Sequence, residues 1–321
     1  MSARSRTLSE RLRPLPCRRR VTLATGFVLL VFSGLALQRM AGHPWPLAGA
    51  NPRLAILSCA FLAVALALRA AGWSRLFAQV ERPQPREATA AVSVASVASF
   101  LVPAKLDYAV KVWLANRLSR GRIAVEAAVV SLCLLGLIDA GTLIAPAILT
   151  AANTSSPQLR VPLLMVALVG LACLAAVACS GQLVRLPLLH RSQRALRFAQ
   201  RLDQAVTRLR DNTAAYLLLT VSLWVRAGGL LMLLAALGIS FSLLTALVFI
   251  CLTAGSAFLP IPSLGLGAGT AALSGLGIGL GEAADFALAT ALVTIIAGLI
   301  LAGGTATVYL TSRHRQPPPA R

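Results

Sequence analysis

Lys105, Asp107 and Lys111 set two ammonium groups around one carboxylate within seven residues, and they include both lysines of the chain. Phosphate recognition needs fixed cationic donors of this kind. On a helix Asp107 and Lys111 are i,i+4 neighbours, so two readings stand side by side. One is a plain surface ion pair. The other has Lys105 and Lys111 contacting a lipid phosphate while Asp107 holds one lysine in place. Two more ionisable residues interrupt apolar runs, Asp139 in LLGLIDAG and Arg226 in LLLTVSLWVRAGGLLMLL. Charges inside membrane segments are costly and by default mark partners or pathways. Asp139 and Arg226 are read as an interhelical ion pair or as the wall of a polar headgroup cavity. Arg69 sits near a span boundary, from which it can snorkel. Glu126 falls at a span end, and Glu282 and Asp285 fall near a helix start, where carboxylates suit the helix dipole.

No enzyme chemistry is legible. His43, His190 and His314 lie far apart, without an acidic partner or a nucleophile at catalytic spacing. The six cysteines are scattered, five of them (Cys59, Cys133, Cys173, Cys179, Cys251) in apolar blocks where cysteine acts as a small hydrophobe. The expectation is no metal site, no cofactor and no catalytic residue.

The elements that carry these residues are membrane helices. A hydrophobic fraction of 57%, a mean hydropathy of +0.78 and 12% charged residues leave too little polar surface to cover a soluble core. The apolar residues fall in blocks near 21–38, 54–71, 123–150, 161–180, 213–237, 241–259 and 284–311, long enough to cross a hydrocarbon layer of about 30 Å. The expected fold is all-α, a polytopic bundle of seven or eight spans in one membrane domain, residues 21–311. A basic segment, 1–20, precedes it and a basic tail, 312–321, follows.

The net charge of +20 is concentrated beside the spans: Arg4, Arg6, Arg11, Arg13 and Arg18 to Arg20 before the first, and seven arginines from Arg185 to Arg210. This is the positive-inside pattern of a cytoplasmic membrane protein with a cytoplasmic N-terminus. Interleaved stacking aromatics are missing, which argues against nucleic acid. The first block is read as a retained span rather than a cleaved signal, since it is long and no Ala-x-Ala site follows. Within 182–212, Phe198, Leu202, Ala205, Val206 and Leu209 recur at helical spacing opposite arginines, an amphipathic cytoplasmic helix.

Two stretches resist a simple crossing. Were 88–122 to cross once, the arginine-rich 182–212 would fall outside, so 88–122 is expected to enter and leave from one side. The second, 260–281, is an interrupted segment expected to pair with 284–311 as a crossing; the alternative is a re-entrant hairpin inside the protein, which would put the tail outside. The two look alike: VASFLVPAKLDY breaks at Pro103, and AGSAFLPIPSLGLGAG breaks at Pro260 and Pro262 with Gly265 and Gly267 following. Such breaks persist only where protein or water surrounds the freed carbonyls. Paired interruptions in corresponding halves, a short internal duplication, point to a central substrate site. Gly265-x-x-x-Gly269 is read as a close-packing surface, since neither a preceding strand nor a Gly-Lys-Ser/Thr makes it a nucleotide loop.

From about residue 54 to 311 the chain resembles the membrane region of lysylphosphatidylglycerol synthases and the flippase-like proteins that share it. The resemblance rests on Pro103-Ala104-Lys105-Leu106-Asp107-Tyr108 with Lys111 after it, on Asp139, and on Pro260-Ile261-Pro262-Ser263-Leu264-Gly265. The chain departs from the family pattern where Asp107 and Tyr108 replace Gly-Glu, where Leu135 and Gly136 replace Glu-Arg, and where Gly269 and Thr270 replace Arg-Glu. No long polar stretch corresponds to the synthases' aminoacyl-transfer domain. The resemblance implies binding or translocation of an anionic phospholipid or a polyprenyl-linked lipid. The alternative is a non-transporting membrane partner that anchors or regulates a lipid or glycan biosynthetic enzyme.

Overall fold

The structure is a computed structural model, and it describes residues 45–101, 106–119, 121–183, 193–211, 213–239, 242–256 and 264–314. The block at 21–38, Pro103, Lys105, Pro260 and Pro262 lie outside the described residues. Contacts divide the chain at Trp45, and the helices below all belong to the unit that begins at Pro46.

Every element among the described residues is helical. In order they are α1 Pro52–Ser74, a 3-10 turn Gln79–Glu81, α2 Pro85–Leu101, α3 Leu106–Leu118, α4 Val125–Thr142, α5 Ile144–Asn153 and α6 Pro157–Ala178. Then come α7 Ser180–Leu183, α8 Gln193–Asp211, α9 Ala214–Ala236, α10 Leu243–Ser256, α11 Leu264–Gly275 and α12 Leu280–His314. Five runs are long and apolar enough to cross a membrane: α1, α4 with α5, α6, α9 and most of α12. The chain is a multi-pass helical membrane protein.

Local chemistry sets the helix ends. The Asn51 side chain accepts from the Arg53 amide at 3.1 Å and Pro52 takes the first helical position, where its missing N–H costs nothing. Glu87 reaches back to accept from the Gln84 amide at 2.8 Å at the start of α2. The apolar block expected as one span at 123–150 is divided at Leu143 into α4 and α5. Pro146 explains the break, because it has no N–H to offer the carbonyl four residues back.

The central contact is between α1 and α9, which run antiparallel along their full lengths. Asn51 N donates to Ala236 O at 2.8 Å, Ser58 Oγ to Gly229 O at 2.8 Å, and Ser222 Oγ to Ala65 O at 2.8 Å. Gly72 completes the series against Leu219 and Ala215. The partners step by seven residues in opposite directions, a heptad seam of small and hydroxyl side chains that lets two backbones approach closely. Around this pair the two halves repeat an order. Lead helix α1 is followed by α2 (17 residues) and α3 (13), then α4. Lead helix α9 is followed by α10 (14 residues) and α11 (12), then α12. At 12 residues α11 covers about 18 Å.

The amphipathic helix α8 lies where sequence periodicity puts it. Its apolar side is covered by the protein's own bundle: Ala205 and Val206 are buried, and Leu202 and Leu209 pack into a core with Phe77, Val130 and Ile123. Glycines make several of the closest contacts. A Cβ on Gly170 of α6 would sit 2.5 Å from the Ala140 carbonyl oxygen of α4, and a backbone oxygen cannot swing aside. Gly170→Ala is therefore expected to cost about 1–3 kcal/mol, measured as a lower unfolding midpoint in detergent, whereas Gly136→Ala, with open space around it, should be neutral.

Candidate functional site

Four helices bring their ionisable side chains together. Asp139 of α4 forms an ion pair with Arg69 of α1, and Arg69 NH2 donates to the carboxylate. From α3, Lys111 Nζ lies 3.7 Å from Asp107 and 5.0 Å from the centre of the Tyr108 ring. The ammonium is thus held between a carboxylate one turn back and an aromatic face, both oriented by the helix itself. The pair is far from a surface one: the Lys111 side chain is 8% exposed and that of Asp107 17%. Arg69, Tyr108, Lys111 and Asp139 act on one another electrostatically, and Arg226 of α9 is within the field of Arg69 and Asp139.

The structure pairs Asp139 with Arg69, which corrects two sequence expectations. Arg69 does not snorkel, and Arg226 is not the ion-pair partner of Asp139. The reason is register. Trp73 Nε1 donates to Ser131 Oγ at 3.1 Å, which locks α1 onto α4, and one turn before Trp73 the α1 side chain that reaches α4 is Arg69. Arg226 is left half-buried, with no hydrogen bond or ion pair among the described residues. It lies twelve positions into α9, about 18 Å from the helix start and near its midpoint.

Counted by formal charge among the described residues, Arg69, Lys111 and Arg226 accompany Asp107 and Asp139, so one cation of this set is unmatched. Buried charge of one sign invites a ligand of the other. An anion at Arg226 would complete the balance without displacing either pair. Of the sequence candidates, Asp107, Lys111, Asp139 and Arg226 converge here, while Lys105 and Pro103 fall outside the described residues, as do Pro260 and Pro262. Gly265 and Gly267 sit in the first turn of α11. Gly269 on the same helix packs against Phe249, and a Cβ there would overlap the ring.

Neither a family model, nor a curated protein, nor a solved structure matches the chain. The chemistry of the cluster therefore carries the functional assignment.

Arg69, read from sequence only as a boundary residue, and Tyr108, given no site role there, join the site. Arg69 is five residues from the end of an apolar run, a position that reads equally as boundary or interior. Tyr108 occupies a place that the resembling family gives to an acid, and only the i,i+3 relation to Lys111 hints at its role.

Proposed function

We propose that the protein binds, and translocates, a lipid with an anionic phosphate headgroup, an anionic phospholipid or a polyprenyl-linked lipid, in the cytoplasmic membrane. The unmatched charge at Arg226, near the midpoint of a membrane-length helix, is the observation that carries this proposal. A phosphate at that depth receives charge-assisted bonds in a medium of low dielectric. Lys111, fixed by Asp107 and Tyr108, offers a second oriented cation on a helix that begins next to a break.

Two further features support transport over simple storage. The lead helices α1 and α9 are antiparallel, and each precedes a pair of short helices separated by a proline-containing segment. That order suits an inverted repeat with two re-entrant limbs, the arrangement in which substrate sites lie at mid-membrane between rocking halves. The resemblance to the lysylphosphatidylglycerol synthase membrane region points the same way. In this orientation α8 faces the cytoplasm.

A second reading, a non-transporting partner of a lipid or glycan biosynthetic enzyme, is favoured by one observation. The exposed Arg197, Phe198 and Arg208 of α8 leave a basic surface with an aromatic on it. Proteoliposomes separate the two. With a fluorescent anionic phospholipid in the inner leaflet, wild-type protein should expose it to an external quencher at least about tenfold faster than empty vesicles. Lys111→Met should return most of that rate to background. Lipid movement equal to empty vesicles, together with a stoichiometric enzyme retained through mild solubilisation, would support the partner reading and sink transport.

A further inference from the structure

A cavity of about 260 Å³ lies away from the charge cluster, between the connector after α1, the first turns of α4, and α8. Its volume is just below the ~300 Å³ at which pockets for drug-sized ligands begin, so it suits an occupant the size of a headgroup. Phe77 and Ser131 form part of its inner wall, both buried. Arg201, Gln204 and Arg208, on one face of α8, line another side, and Glu81 in the 3-10 turn lines a third.

The charges of this cavity do not neutralise each other. Glu81 is half-buried and its carboxylate has no hydrogen bond or ion pair among the described residues, so it stands beyond ion-pair distance from both guanidinium groups. Among the described residues Arg201 is engaged by Glu126 alone, at 3.4 Å, a carboxylate that is 69% exposed and therefore a weak competitor. Arg208 uses Nε on the Gln204 carbonyl at 3.1 Å and keeps its terminal nitrogens for other partners. A simple anion would satisfy the arginines and be repelled by Glu81. A ligand carrying phosphate at one end and a primary ammonium at the other satisfies both poles.

We infer that this cavity is a binding site for a zwitterionic phosphate–ammonium headgroup of the ethanolamine-phosphate class. Arg201 and Arg208 take the phosphate, and Glu81 accepts from the ammonium. Depth favours a lipid as its source: Ala127 and Ser131 fall in the first turns of a membrane-length helix, and Phe77 lies just beyond the end of another. The site is independent of Arg226 and of the proposed transport.

Equilibrium binding of short-chain lipids to the full-length protein in detergent tests the assignment. Phosphatidylethanolamine should bind about tenfold tighter than phosphatidylcholine, whose methylated nitrogen has no N–H to donate, and tighter than phosphatidylglycerol. Glu81→Gln should bring phosphatidylethanolamine down to the phosphatidylcholine level, and Glu81→Asp, which keeps the charge, should retain part of the preference. Arg208→Gln should weaken all three lipids. Soluble O-phosphoethanolamine binding as tightly as the lipid would support the same site with a water-soluble occupant. Equal affinity for ethanolamine and choline lipids, or inorganic phosphate binding as tightly and indifferently to Glu81→Gln, would overturn it.

Discussion

Replacing Asp139 with alanine should destabilise the protein more than any other single change in the charge cluster, by about 3–5 kcal/mol. The substitution removes the partner of Arg69 and leaves that guanidinium in the same field as Lys111 and Arg226. Three cations, Lys111 buried and both arginines half-buried, would then share one remaining carboxylate among the described residues, that of Asp107. Arg69→Met should be less harmful, because Asp139 would remain in the electrostatic field of Lys111 and Arg226. The double variant Arg69→Met/Asp139→Leu should recover much of the loss, since an apolar pair of similar volume replaces a desolvated ionic one. Unfolding midpoints of wild type, Asp139→Leu, Arg69→Met and this double variant in one detergent complete the cycle. Additive losses would show that the two residues act independently and would remove the pair from the account.

Arg226→Gln should do the opposite: little change in stability, and a large loss of ligand. Arg226 has no protein partner among the described residues, so nothing in the fold is left unpaired by its removal. A half-buried cation exchanged for a neutral amide sheds part of its desolvation cost, and the unfolding midpoint should hold or rise. Affinity for an anionic lipid should fall about 10- to 100-fold, the value of one charge-assisted bond at roughly 1.5–3 kcal/mol. Arg226→Lys should bind better than the glutamine variant and worse than wild type, because lysine supplies charge without the two-pronged geometry. A glutamine variant that unfolds readily would mean instead that Arg226 is structural.

Hydropathy located the helices, because a span of apolar residues is written directly into composition. The spans expected at 54–71, 161–180 and 213–237 correspond to α1, α6 and α9 within a few residues. The block at 123–150 hid a break at Leu143, since hydropathy averages over Pro146 and is blind to a missing N–H. Helical spacing in 182–212 revealed α8, but not what covers its apolar side: membrane and bundle both accept Leu202, Val206 and Leu209. The heptad seam of α1 and α9 went unread for a related reason. Asn51, Ser58, Ala65 and Gly72 share only smallness, and smallness acquires meaning when Ala215, Ser222, Gly229 and Ala236 are found opposite.

The candidate site was legible as a set of costly charges and illegible as a set of pairs. Asp107 and Lys111 are neighbours by helix geometry, so their contact followed from spacing. The choice between Arg69 and Arg226 for Asp139 depends on how α1 and α9 register against α4, which no local pattern encodes. That choice sets the function proposed here, because it decides which cation is left for a ligand.

Native mass spectrometry of delipidated protein tests that point most directly. Wild type supplied with equal phosphatidylglycerol and phosphatidylcholine should retain a first phosphatidylglycerol in preference to phosphatidylcholine. Arg226→Gln should lose that preference by at least about tenfold, while Arg117→Gln, which alters a cation outside the cluster that stacks on Trp113, should keep it. Equal retention of phosphatidylglycerol by wild type and Arg226→Gln would contradict the assignment of Arg226 as the headgroup cation.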